Sequence, residues 1–318
     1  MSLTELSLGC AQLGNLYRAV HDTEAAATVD AAYEVGIRYF DTAPNYGLGL
    51  SERRLGAALA GYPRDKLVVS TKVGRRLDPL PEPYGRDDDG FDVPATHRRL
   101  WDFSRDGVLR SLDESLDRLG LDRVDIVFLH DPDDHWNDAL NEAYPTLEEL
   151  RSQGVVSSIG AGMNQAGMLA DFVRNTDMDV LMLAGRYTLL EQEPLDDLLP
   201  LCVERRVKIV AAGVFNSGVL AHDDPPDDAK YNYGEASTAV VDRARRIGDV
   251  CRRHDVSLPA AAMAFPLAHP AVASVCVGAR SPEQIERNAD LLRRPIPAEL
   301  WRNLKSEGLL REDAPTPS

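Results

Sequence analysis

SRDGVLRSLDESLDRLGLDRVDIVFLH, residues 104–130, joins a segment of helical period to a short β-rich apolar run that ends on a histidine. The same pairing recurs along the chain. LSLGC, IRYFD, KLVVSTK, VDIVFLH, VVSSIG, VLMLAG, VKIVAAG and ASVCVG each read as a strand, eight in all. Helical segments are expected at 23–35, 51–60, 104–119, 137–153, 164–174, 194–205, 236–254 and 282–292. Strand and helix alternating eight times predict an α/β fold, a (β/α)8 barrel built as a single domain over residues 1–318. Two long inserts, 74–103 and 214–235, are rich in Gly, Pro, Asp and Tyr. They are expected to be irregular active-site loops.

Composition narrows the function. With 44% hydrophobic and 27% charged residues, the 318-residue chain can bury a sizeable core and has no bias toward disorder. Its 51 acidic and 35 basic residues give a net charge of -16, which repels nucleic-acid phosphates and anionic lipid. Neither nucleic acid nor a membrane is an expected partner. Cys10, Cys202, Cys251 and Cys276 stand singly and read as reduced thiols of a cytoplasmic protein. MSLTELSLGC lacks the basic and apolar regions of a secretory leader, and no apolar run approaches spanning length. Oligomeric state is left open.

In a barrel of this kind, chemistry gathers where strands end. Asp41 closes IRYFD, Lys72 closes KLVVSTK and His130 closes VDIVFLH, with Tyr46 in the loop after the first. Each alone reads more often as a turn cap, a solvated lysine or a structural histidine. Together, at one rim, they have a mechanism. A phenol titrates near roughly 10, and a neighbouring ammonium favours its ionised form. Lys72 would supply that charge, Asp41 would hold Lys72, and a neutral His130 would orient a hydroxyl or carbonyl toward Tyr46. Such proton transfer needs an electron acceptor that side chains do not provide, so a hydride-accepting cofactor is implied. No G-x-G-x-x-G fingerprint is present, and GAGMNQ at 160–165 fails the pattern.

IRYFDTAPNYGLGLSERRLG, VVSTKVGR and DIVFLHDPD closely resemble the aldo-keto reductase superfamily. The resemblance implies a (β/α) barrel that binds a nicotinamide cofactor without a Rossmann domain. It implies Tyr46 as proton donor or acceptor, Lys72 and Asp41 as its tuning pair, and His130 as the substrate orienter. Asn164 matches a holder of the nicotinamide carboxamide, and also reads as a helix N-cap. GARSPEQIERN, residues 278–288, resembles the segment around the adenosine ribose, with Ser281, Gln284 and Asn288 in matching places. Ser281 reads as an N-cap before Pro282 as well. Ala212 stands where many members carry an aromatic that stacks on the nicotinamide, so Phe215 is the candidate to stack instead. Gly278 and Gln284 replace the basic residues of members that prefer a 2′-phosphate. NAD is therefore the expected cofactor, with NADP reachable through Arg280 and Arg287.

LHDPD, IGAGMNQ and AGVFNSGVLA resemble the branch of sugar and pyridoxal dehydrogenases. The expected reaction is oxidation of the anomeric carbon of a free aldose, of L-fucose, D-arabinose or L-galactose type, to a lactone. The alternatives are oxidation of pyridoxal, reduction of small aldehydes, or a cofactor-binding sensor subunit without turnover. Asp131 suits a hydroxylated substrate, or else caps the turn before Pro132. Trp101 and Tyr233, with Phe91, Phe103 and Tyr231, would stack on a sugar or cofactor or simply pack the loops. HDPDDH matches no zinc spacing.

Overall fold

The structure, a computed structural model, describes residues 2–82, 85–232 and 234–317. The expected strands are β1 (Leu6–Gly9), β2 (Tyr39–Asp41), β3 (Val68–Val73), β4 (Ile126–His130), β5 (Ser158–Met163), β6 (Val180–Ala184), β7 (Lys208–Ala212) and β8 (Val272–Gly278). Every neighbouring pair is parallel, and β1 pairs with both β2 and β8, closing the barrel in chain order. The strands are mostly apolar because both of their faces are buried. Tyr39, Ile126, Phe128, Val180, Met182, Val210 and Cys276 fill the barrel interior, while a larger apolar layer packs between strands and helices.

The helices fall close to expectation. The helix Arg105–Leu119 begins where the Ser104 hydroxyl accepts a hydrogen bond from Gly107 N at 3.1 Å and ends at Gly120, whose φ of 62° suits a left-handed cap. The segment expected at 194–205 starts later, at Leu198, after a short 3-10 turn over Glu193–Leu195. The one expected at 137–153 contains a π-turn, Ala139–Ala143. Two further helices, Leu258–Leu267 and Ala298–Ser306, were not foreseen. The inserts are also less irregular than expected. Residues 74–103 contain an antiparallel hairpin of Arg75–Pro79 with His97–Trp101, and residues 214–235 contain a short pair, Lys230–Tyr231 with Gly234–Glu235. Among the described residues, no helix is long and apolar enough to cross a membrane.

The helix Leu50–Leu59 follows the Tyr46 loop and sets its position. Gly56 lies against the end of helix Arg105–Leu119, where an added Cβ would come 1.8 Å from Leu119 O. Gly56→Ala must push the two helices apart, and is expected to destabilise the protein by about 2–3 kcal/mol in denaturant titration. Parent-like stability would show that this contact is not close-packed.

Candidate active site

The strand ends bring the four expected polar side chains together. Asp41, the last residue of β2, lies in register with Gly9 of β1 and Ser70 of β3. Lys72 Nζ donates to Asp41 Oδ2 at 2.7 Å, to Thr42 O at 3.0 Å and to the Tyr46 hydroxyl at 3.1 Å. All three ammonium donors are therefore engaged. Ser70 Oγ donates to the other oxygen of Asp41 at 2.6 Å. The side chains of Lys72 and Asp41 are only 2% and 3% exposed, so this is an ion pair without water to screen it. Burial alone would lower the Lys72 pKa. The Asp41 carboxylate and the Tyr46 phenol outweigh it and hold the ammonium above its ordinary value.

Tyr46 rides on a loop pressed against the turn Cys10–Gly14. A Cβ on Gly47, which has φ 62°, would meet Gly14 O at 2.2 Å. Arg99, from the hairpin, donates to Asn45 O at 3.2 Å and grips Asp87 with two bonds at 2.5 and 2.9 Å. The His130 ring stands edge-on to Tyr46, with centroids 5.9 Å apart and planes at 89°. Burial, followed by the charges of Arg75, Lys72 and Arg99, pushes its pKa well below that of an ordinary histidine. The imidazole is therefore neutral at physiological pH, and among the described residues its buried Nδ1 has no hydrogen-bond partner.

From this cluster a cavity of about 490 Å³ runs across the carboxyl ends of the strands, a size ordinary for a small-molecule site. Asp41 and Tyr46 lie at one end, and Arg280, Gln284, Arg287 and Asn288 at the other. Asn164, Ala212, Phe215 and Gly278 line it between them. A larger cavity of about 640 Å³ opens at the amino-terminal ends of the strands, between Ser158, Val180 and Lys208, and contains none of the strand-end cluster. Barrel enzymes place their chemistry at the opposite face.

The first cavity fits an extended dinucleotide on several counts. Gly278 leaves a cradle that a Cβ would fill, since that atom would fall 2.2 Å from the Gln12 side chain. Among the described residues, Gln12 Oε1, Asn216 Oδ1 and Asn288 Oδ1 are buried acceptors with no partner in the chain. They can take the amide and hydroxyl hydrogens of a nucleotide. Asn164 precedes the N-cap, which is Gln165, so capping does not occupy its side chain.

Other candidates lie differently. Ser281 sits at the N-cap of helix Pro282–Arg293 and is not part of the cavity wall. Gln284 Oε1 accepts from Arg280 N at 2.9 Å, and Arg280 Nη2 donates to Leu16 O at 2.8 Å, so this end of the groove is braced to the loop after β1. Trp101 is 47% exposed and is not part of the cavity wall; its ring lies against the Arg75 guanidinium, 4.4 Å from the centroid. Asp131 does not cap the turn at Pro132; its carboxylate pairs with Arg75 at 2.7 Å. His135 of HDPDDH packs against Trp101, with centroids 5.1 Å apart and ring planes tilted by 36°. Tyr233 is outside the described residues. The four cysteines are unpaired and buried, with Cys276 at the floor of the cavity.

Sequence reasoning missed Gln12, Arg75 and Arg99. Gln12 and Arg75 stand within three residues of a strand's carboxyl end, so the rule that found Lys72 would have found them if read a little further. Arg99 carries no such signal, since it arrives through the hairpin.

Comparison with known proteins agrees with this geometry. The model of the aldo/keto reductase family matches residues 5–307. A D-threo-aldose 1-dehydrogenase of Pseudomonas sp is 50% identical, covering 100% of this chain and 96% of its own. A pyridoxal 4-dehydrogenase of Microbacterium luteolum is 40% identical over 98% of this chain and 95% of its own. Among solved structures, an aldo-keto reductase from Bacillus halodurans in its holo form superposes with a TM-score of 0.76 at 26% identity, covering 98% of this chain and 95% of that one. With a family match over nearly its whole length, a closed eight-stranded barrel and a Lys72-centred cluster at the rim, this chain belongs to the aldo/keto reductase family and is an oxidoreductase.

Proposed function

We propose that the protein oxidises the anomeric carbon of a free aldose to a lactone, with Tyr46 as the base. One observation carries the reading: the buried relay in which Asp41 holds Lys72 and Lys72 meets the Tyr46 hydroxyl at 3.1 Å. The relative named for D-threo-aldose oxidation, 50% identical over the full chain, supports the substrate class. A nicotinamide bound in the groove would accept the hydride from the anomeric carbon. The groups that would hold it are Asn164 near the relay, Gly278 as the cradle, and Arg280, Gln284 and Asn288 at the far end.

The chain's own residues deal with the proton. The anomeric hydroxyl approaches Tyr46 Oη and the neutral ring of His130, which fixes its direction. Tyr46 accepts the hydroxyl proton as hydride leaves the same carbon. Lys72 stabilises the negative phenol oxygen that this role requires, and Asp41 keeps Lys72 charged and in place. A barrel wall buried on both sides excludes bulk water from the relay.

Initial rates of nicotinamide reduction for a panel of free aldoses, pyridoxal and small alcohols, with aldehydes tested in reverse, decide the substrate. Aldoses turned over with the highest specificity constant are the expected result; pyridoxal ahead of every aldose would replace this reading.

The preferred cofactor is NAD. A 2′-phosphate brings nearly two negative charges into a chain of net charge -16 and needs cations to offset its desolvation. Gly278 and Gln284 offer none, and one guanidinium nitrogen of Arg280 is already engaged by Leu16 O. Arg287 also lines the groove, so the margin is modest, about tenfold or about 1.4 kcal/mol in specificity constant. Arg280→Ala is expected to widen that ratio several-fold by costing NADP more than NAD. A parent enzyme favouring NADP tenfold would overturn the assignment.

A further inference from the structure

Beside His130 lies an ion pair that the relay does not use. Arg75 Nη2 and Asp131 Oδ2 lie 2.7 Å apart, with side chains 19% and 29% exposed. Both are held there by unusual backbone. Asp131 has φ 44°, a left-handed conformation for a residue that is not glycine, and its amide is tied to Gly162 O at 3.0 Å. Strain of this kind persists only where the surroundings impose it, and it gathers at functional sites. Gly74, at φ 103°, passes so tightly under Phe103 that a Cβ would lie 2.2 Å from the ring, and this brings the next residue, Arg75, over Asp131. The guanidinium then stacks on Trp101, 4.4 Å from the ring centroid, and Trp101 rests on Phe103 and His135.

Neither partner is saturated. Among the described residues, Arg75 Nε is buried without a hydrogen bond, and the Asp131 carboxylate accepts only through Oδ2. Asp131 Oδ2 is also 3.7 Å from Nε2 of His130. That is close enough for oxygens on adjacent carbons of one substrate to reach the histidine and the ion pair together.

We propose that Arg75 and Asp131 form a hydroxyl-recognition subsite, which selects a neutral polyhydroxylated substrate by the hydroxyl on the carbon next to the reacting one. The inference rests on the aldose reading above and adds to it the group that is read. A hydroxyl both donates and accepts, so it can give its hydrogen to Asp131 and take one from Arg75. An anionic substituent at that carbon would face the Asp131 carboxylate. A cationic one would face Arg75 and Lys72. A substrate with hydrogen there would bury both charged groups without replacing their lost water, which is the strongest form of discrimination a polar pocket can exert. Trp101, in this arrangement, is a positioning residue that keeps the guanidinium flat against the pocket wall.

Steady-state kinetics of the full chain with an aldose that it oxidises, and with the 2-deoxy analogue of that sugar, test the idea. In the parent enzyme the analogue is expected to lose at least about 30-fold in kcat/KM, the worth of hydrogen bonds to charged groups. Asp131→Asn, which tolerates the left-handed backbone, is expected to narrow that gap at least about fivefold, because the sugar loses more than its analogue. A merely structural ion pair would lower both substrates alike, leaving the ratio unchanged, and that result would overturn the proposal. A parent ratio within about threefold would overturn it without any variant. If no aldose is oxidised, the parent reading and the subsite fall together; if aldoses are oxidised but the deoxy sugar serves as well, the subsite alone falls.

Discussion

The Tyr46→Phe protein is expected to bind the nicotinamide cofactor and to oxidise aldose at least about a thousandfold more slowly than the parent. The substitution deletes one oxygen. That oxygen is the atom 3.1 Å from Lys72 Nζ, and no other hydroxyl or carboxylate in the cluster is placed to take the proton. Asp41 is committed to Lys72 and Ser70, and His130 is held neutral but presents only an edge to the tyrosine ring. The cofactor groove depends on groups further along, from Asn164 to Asn288, which the change leaves in place. Fluorescence titration of the cofactor and single-turnover rates separate the two effects. Turnover within about tenfold of the parent would remove Tyr46 from the role of base.

The relay was legible because two physical rules coincide in this fold. Parallel strands buried on both faces appear in a sequence as continuous apolar runs, so a polar residue that ends such a run is conspicuous. Asp41 and His130 satisfy that description directly, Lys72 follows its apolar run at 67–69 by way of Ser70 and Thr71, and the barrel places the three strands side by side. Tyr46 is one loop away from Asp41, and the close approach of Gly14 and Gly47 brings it back over the rim.

The parts that were not legible depend on contacts distant in sequence. The helix Leu258–Leu267 is LPAAAMAFPL, apolar on every side with two prolines, so it shows no period and looks like a loop or a strand. The hairpin in residues 74–103 pairs Arg75 with Trp101 across a long excursion whose polar sequence carries no alternating pattern. Because that pairing was invisible, so was the position of Arg99, whose charge reaches His130. Ser281 shows the opposite difficulty. One residue satisfied both a cofactor motif and a helix-capping rule, and the structure has it at the cap and outside the cavity wall.

Lys72→Met is expected to lower the rate by roughly a hundredfold or more and to move the alkaline rise of activity to higher pH by at least about one unit. The sign follows from the charges. Oxidation needs the phenol without its proton, and the Lys72 ammonium, held above its ordinary pKa by Asp41, remains charged across the working range and favours that form. Without it, a higher pH is needed to reach the same ionised fraction. Removing the lysine also leaves Asp41 buried at 3% exposure with no counter-ion, which by itself costs about 3–5 kcal/mol and places a negative charge near the phenol. The single variant therefore mixes a lost attraction with a new repulsion. The double variant Asp41→Asn with Lys72→Met removes both charges and should recover most of the lost stability while keeping the slow rate and part of the shift in pH. If the double variant regained the parent pH profile, the shift would belong to the unpaired Asp41 carboxylate, and Lys72 would be a structural partner of the barrel wall rather than the group that tunes Tyr46.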